Sequence, residues 1–85
     1  MSGPDKKKYN PGNKTGYEYV LLADHLAGFI ERGDWSPGSR LPGERALSEE
    51  YGVALDTVRK ATQILRDRGL VQTLKSKGTF VTQRD

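Results

Sequence analysis

Gly33, Gly52 and Gly69 each close a stretch with helical apolar spacing, and they limit the chain to short helices that must pack on one another. Before Gly33, the residues Tyr19, Leu22, Ala23, Leu26, Phe29 and Ile30 share one helical face, with Glu18, Asp24 and Glu31 mainly outside it. The stretch from Asp34 to Gly43 contains Pro37, Gly38, Pro42 and Gly43 and reads as a loop, with Arg40-Leu41 available for a brief strand pairing. A second helix is predicted over Glu44 to Tyr51, with Glu44 at its positive end and Ala46, Leu47 and Tyr51 inward. A third is predicted from about Asp56 to Arg68, with Val58, Ala61, Thr62 and Leu65 on one face. The second and third helices join at Gly52-Val53-Ala54, the tight glycine-containing turn of a helix-turn-helix.

Beyond Gly69, Leu70 to Leu74 and Thr79 to Thr82 are rich in β-branched and apolar residues and flank the basic turn Lys75-Ser76-Lys77-Gly78. A lone two-stranded hairpin is marginal in water, so it must lie on the helices. The expected fold is therefore mainly α with a small β-hairpin: a winged helix-turn-helix of three helices plus a wing, over 17–85. The preceding 1–16 stretch, with Lys6-Lys7-Lys8 and almost nothing apolar, is expected to be a flexible basic arm.

Several function classes fall away on composition. With 85 residues, of which 34% are hydrophobic, one small core forms but no large enclosed substrate cavity. The absence of cysteine removes disulfides, thiolate metal sites and cysteine nucleophiles. No apolar run approaches a membrane span and the start is polar and basic, so a cytoplasmic location without membrane contact is expected. His25 is the single histidine and has no partner constellation, and Glu49 and Glu50 read as solubilising charges. No catalytic residue, cofactor or metal is expected, and the chain is not read as an enzyme.

Charge points toward a polyanion. The 1–16 stretch carries four lysines against Asp5, the 17–53 segment is net acidic, and from Ala54 onward Arg59, Lys60, Arg66, Arg68, Lys75, Lys77 and Arg84 outweigh Asp56, Asp67 and Asp85. The third helix carries Asp56, Arg59, Lys60, Gln63 and Asp67 opposite its apolar face. Arginine can donate two bonds to guanine and glutamine can pair with adenine in the major groove. Thr57 sits in the first turn, where its hydroxyl and nearby backbone N–H groups can hold a phosphate. The competing reading is an ordinary solvated amphipathic helix. The helix-turn-helix before it and the basic hairpin after it favour DNA.

From Leu41-Pro42-Gly43-Glu44-Arg45 onward the chain resembles the GntR family of bacterial regulators. The likeness continues through Gly52-Val53, Thr57-Val58-Arg59, Ala61, Leu65, Gly69-Leu70-Val71 and Gly78-Thr79-Phe80-Val81, and upstream through Leu22-Ala23, Leu26, Ile30, Gly33 and Pro37-Gly38. It implies that Arg45 and Arg59 approach bases or phosphates in the major groove and that Thr57 contacts a phosphate. It also implies that the wing tip, Lys75, Ser76, Lys77 and Gly78, enters or borders the minor groove. Phe80 would pack the wing onto the body.

Two departures alter the expectation. Where the family commonly has Ser-Arg before the recognition helix, this chain has Ala54-Leu55, followed by Asp56, which could cap a helix that starts slightly later. Ser76 replaces a usual wing glycine. The implied function is binding of double-stranded DNA in transcription regulation, with repression at a palindromic operator by a homodimer formed at least on DNA. A separate or missing effector-binding domain goes with this. The alternative is a winged helix used for protein–protein contact without DNA recognition.

Overall fold

The computed structural model describes residues 17–83. The expected basic arm, 1–16, lies outside the described residues. Three helices are followed by one antiparallel hairpin: α1 (Glu18–Glu31), α2 (Glu44–Tyr51), α3 (Leu55–Asp67), β1 (Val71–Leu74) and β2 (Gly78–Val81).

The packing of α1 on α3 builds the centre. Leu22, Ala23, Leu26 and Ala27 of α1 are buried, as are Val58, Ala61 and Leu65 of α3. Alanines on both helices let the backbones approach, while Leu22, Leu26 and Leu65 are fully enclosed between them. Among the described residues the one buried polar side chain is Thr62. It donates its hydroxyl to the Val58 carbonyl at 2.9 Å, so it sits in the core without an unmet bond. From α2, Leu47 and Tyr51 are buried, whereas Ala46 is exposed rather than inward. An eight-residue helix buries only its i, i+4 pair, and Ala46 lies off that line. His25 stands between the rings of Phe29 and Tyr51, with centroids 5.2 and 5.3 Å away, and serves as packing between α1 and α2.

The turn between α2 and α3 is locked from both sides. Gly52 takes φ 66°, the left-handed region where a Cβ would clash with its own backbone. The Ser48 carbonyl accepts the N–H groups of Gly52 and Val53, and the Ser48 hydroxyl donates back to the Val53 carbonyl at 2.5 Å. Val53 is thereby drawn into the core, and α3 departs at a fixed angle to α2. At the far end of α3, Leu70 N–H donates to Leu65 O and Gly69 N–H to Arg66 O, which closes the helix and turns the chain into β1.

β1 and β2 pair in the register Val71↔Val81, Gln72↔Phe80, Thr73↔Thr79 and Leu74↔Gly78. Val71 and Val81 face the core. The expected Arg40-Leu41 pairing is present as one antiparallel bridge, Arg40↔Phe80, supported by Leu41 N–H to Thr79 O at 2.8 Å and Val81 N–H to Ser39 O at 2.8 Å. The loop thus adds a minimal third strand along β2 and covers its edge. Phe80 alternates with Val81, so it lies on the outer face, half-buried, and does not join the wing to the helical core as expected.

Replacing Leu26 by alanine removes a fully enclosed side chain and should cost about 3 kcal/mol. Urea denaturation followed by circular dichroism checks this; a loss below about 1 kcal/mol would mean that α1 can close over the gap.

Candidate nucleic-acid interface

With one face of α3 sealed against α1, its opposite side carries Asp56, Arg59, Lys60 and Gln63, all exposed, with Thr57 half-buried in the first turn. Leu55 opens the helix, Ala54 is its N-cap, and no side chain caps it. Asp56 therefore lies inside the first turn and does not act as the cap of a later-starting helix. Its carboxylate instead meets Lys60 Nζ at 3.3 Å, one turn on, and Lys60 also stands 5.5 Å from the Tyr19 ring centroid.

Arg59 reaches back to α2, where its Nε donates to Glu44 Oε1 at 3.1 Å. A guanidinium held through Nε keeps its two Nη groups as a fork, the arrangement that meets guanine O6 and N7. Both side chains are well exposed, at 62% and 49%, so the pair is weak and yields easily to a better acceptor. Gln63, expected to face a base, is engaged along its own helix: it donates to Asp67 at 2.9 Å and accepts from Arg66 Nη2 at 2.8 Å.

Arg66, which is not among the expected site residues, links α3 to the wing. Its Nη1 donates to Thr73 Oγ1 at 2.8 Å, and Thr73 pairs across the hairpin with Thr79 at 3.0 Å. The chain Asp67–Gln63–Arg66–Thr73–Thr79 fixes the wing relative to the exposed face of α3. The available signal in the sequence is the pair of threonines placed symmetrically about the basic turn.

At the wing tip, Lys77 N–H closes the turn on Leu74 O at 2.9 Å. Ser76, third in this turn, takes φ 67°, the one described non-glycine residue with positive φ. A type II turn asks for that dihedral, and glycine supplies it without strain. Lys75, Ser76 and Lys77 are exposed and Gly78 is half-buried. A cleft of about 280 Å³ runs between the start of α2 and the wing, with Glu44, Leu47, Thr62, Thr73 and Lys75 among its walls. Arg45 lies outside it on the exposed side of α2.

The described cations divide into two groups. Arg32, Arg59, Lys60 and Arg68 each have a carboxylate partner, and Arg66 is hydrogen-bonded to Thr73 and Gln63. Arg40, Arg45, Lys75 and Lys77 have neither among the described residues. The uncompensated positive charge of the described residues thus sits around the start of α2 and the wing.

Helix-turn-helix, sealed third helix and cationic wing define a winged-helix domain of the class found in DNA-binding transcriptional regulators. Residues 18–81 match the family described as bacterial regulatory proteins, gntR family, and the chain belongs to that family. It is 34% identical over 68 residues to the HTH-type transcriptional regulator TreR of Bacillus subtilis (strain 168), a match covering 80% of this chain and 29% of TreR. It is 37% identical over 65 residues to the mannosyl-D-glycerate transport/metabolism system repressor MngR of Escherichia coli (strain K12), covering 76% of this chain and 27% of MngR. The chain thus spans less than a third of either relative. Among solved structures, the DNA-binding domain of AraR in complex with operator ORE1 superposes with a TM-score of 0.73 at 31% identity, over 75% of this chain and 78% of that one.

Ser76→Gly should raise stability by about 0.5 kcal/mol: release of the left-handed strain, about 1 kcal/mol, exceeds the added freedom of the unfolded chain. A urea titration beside the unsubstituted protein measures it, and a drop in stability would show that Ser76 sits there without strain.

Proposed function

We propose that this domain binds double-stranded DNA through the exposed face of α3 and the wing, and regulates transcription without enzymatic activity of its own. The observation that carries this is the arrangement of α3: one side fully sealed, the other presenting Arg59 and Lys60 beside a wing whose lysines have no partner among the described residues. α3 fills the major groove, where Arg59 donates its fork to a guanine and Thr57 contacts a phosphate at the helix start. Arg45 approaches the same groove from α2. Gln63 reads an adenine edge only after exchanging its bonds to Asp67 and Arg66, so its contribution is smaller than that of Arg59.

The wing, Lys75, Ser76, Lys77 and Gly78, follows the backbone into or beside the minor groove, where a narrow A·T-rich stretch concentrates negative potential. Asp56, paired to Lys60 on the free domain, accepts from a cytosine amino group when Lys60 turns to a phosphate. Operator binding by the AraR domain and the repressor designation of MngR support repression as the outcome. A palindromic operator read by a homodimer follows from paired half-sites spaced by whole helical turns. Effector sensing, where it acts on this domain, belongs to a separate domain or is missing, and the setting is cytoplasmic.

The test is fluorescence anisotropy on a duplex selected from a random pool, with Arg59→Ala as the first variant. The expected loss is about 1–3 kcal/mol at the preferred site, with relaxed choice at one base pair. An equal loss on every sequence would make Arg59 a phosphate contact. Lys75→Ala combined with Lys77→Ala should flatten the salt dependence by up to about two units of log K against log salt. Absence of DNA binding by the unsubstituted domain at low salt would favour a protein-contact winged helix instead.

A further inference from the structure

The hairpin register places Arg40, Phe80, Gln72, Leu74 and Gly78 on the outer face of the wing, because the bridge sets Arg40 opposite Phe80 and Gly78 lies two residues before Phe80 on β2. The Arg40 side chain runs diagonally across that face toward the tip. A Cβ at Gly78 would stand 2.5 Å from Arg40 Nε and 3.2 Å from both Cζ and Nη2. The guanidinium therefore rests on the bare backbone of Gly78, in space that only glycine leaves open. It is exposed and has no carboxylate or hydrogen-bond partner among the described residues. Lys75, in the turn that leads to Gly78, lines the same cleft as Arg40 and that glycine.

On the basis of the DNA-binding function proposed for this domain, we infer that Arg40 is a DNA-backbone contact: its guanidinium, seated on Gly78, holds a phosphodiester together with Lys75 at the wing. Three observations select this role. An unpaired guanidinium laid against a strand gives up little side-chain freedom when it binds, since packing already restricts the stem. Its neighbours here are lysines, point charges that suit phosphate, and no carboxylate interrupts them from Lys75 to Gly78. Its anchorage is also double, because the flanking residues Ser39 and Leu41 are hydrogen-bonded to β2 at 2.8 Å, so the cation moves with the wing and not with the loop. Gly78 then has a second use besides its positive φ of 118°: it is the seat that brings a cation from a distant loop to the tip.

The experiment compares the salt dependence of binding to a fluorescent random-sequence duplex of about 20 base pairs for the unsubstituted domain, Arg40→Ala, Arg40→Lys and Arg40→Gln. Removing one cation from a phosphate makes the slope of log K against log salt shallower by about 0.9, and this is expected for Arg40→Ala and Arg40→Gln but not for Arg40→Lys. Arg40 is exposed and lies outside the core, so these variants are expected to keep their fold, which circular dichroism checks. Binding by the unsubstituted domain with an unchanged slope in Arg40→Ala and Arg40→Gln would overturn the inference and leave DNA binding standing. Failure of the unsubstituted domain to bind at low salt would overturn the proposed function and the inference together.

Discussion

The seating of α1 on α3 is the contact from which the other features follow. A helix of 13 residues with a buried stripe of Val58, Ala61, Thr62 and Leu65 has one rotational setting about its own axis, and that setting decides which residues meet solvent. Rotating α3 by one residue would bring Arg59 or Lys60 toward Leu22 and Leu26, at the cost of burying a charge among apolar side chains. The apolar stripe therefore specifies the exposed face as firmly as it specifies the core. The Ser48–Val53 lock then sets the angle of α3 to α2, and Arg66 sets the wing against α3. Three independent constraints hold one surface in shape.

The ion pairs on that surface restrain its side chains more than they stabilise the domain. Exposed pairs such as Arg59–Glu44 and Lys60–Asp56 contribute on the order of 0.5 kcal/mol or less. That weakness suits a recognition face, because a cation tightly held by its own protein would bind less well when it changed partners. The helix nonetheless presents its arginine in a restricted orientation, and the carboxylates lower non-specific attraction along α3. In the proposed function, the wing and the start of α2, whose cations have no such partners among the described residues, are the source of the long-range attraction that depends on salt. The proposed function thus places base choice and general affinity on different elements.

The elements are legible in the sequence because each has a local cause. Glycine stops at Gly33, Gly52 and Gly69 and the apolar spacing between them place α2 without error and α3 within a residue at each end. Placement of Arg59 and Lys60 on exposed positions follows from the same periodicity, and that of Lys75 from the basic turn between the two strands. What the sequence does not disclose depends on contacts beyond the local pattern. No spacing rule announces that Ser48 bonds across a turn or that Arg66 reaches Thr73, whereas the Gln63–Asp67 bond is an i, i+4 helical pair. Ala46 and Phe80 fall on faces other than the expected ones because a single apolar residue has no period; only the helix rotation and the strand register decide its side.

At the wing tip, two special backbone positions serve opposite ends. Gly78 is open so that a side chain from elsewhere can occupy the space beside it, and any Cβ there would displace the Arg40 guanidinium. Ser76 adopts a left-handed conformation without being glycine, so the turn keeps a hydroxyl on its exposed third residue. A strained residue persists where the surroundings over-determine it, and here the closed Leu74–Lys77 turn and the Thr73–Thr79 pair hold the hairpin on both sides. A glycine at 76 would make the tip slimmer and more pliant, whereas serine makes it stiffer and adds a donor and acceptor between two lysines. The wing of this domain is therefore built to present a fixed polar edge flanked by cations, with its shape set by the sheet and its charge gathered from two separate segments of the chain.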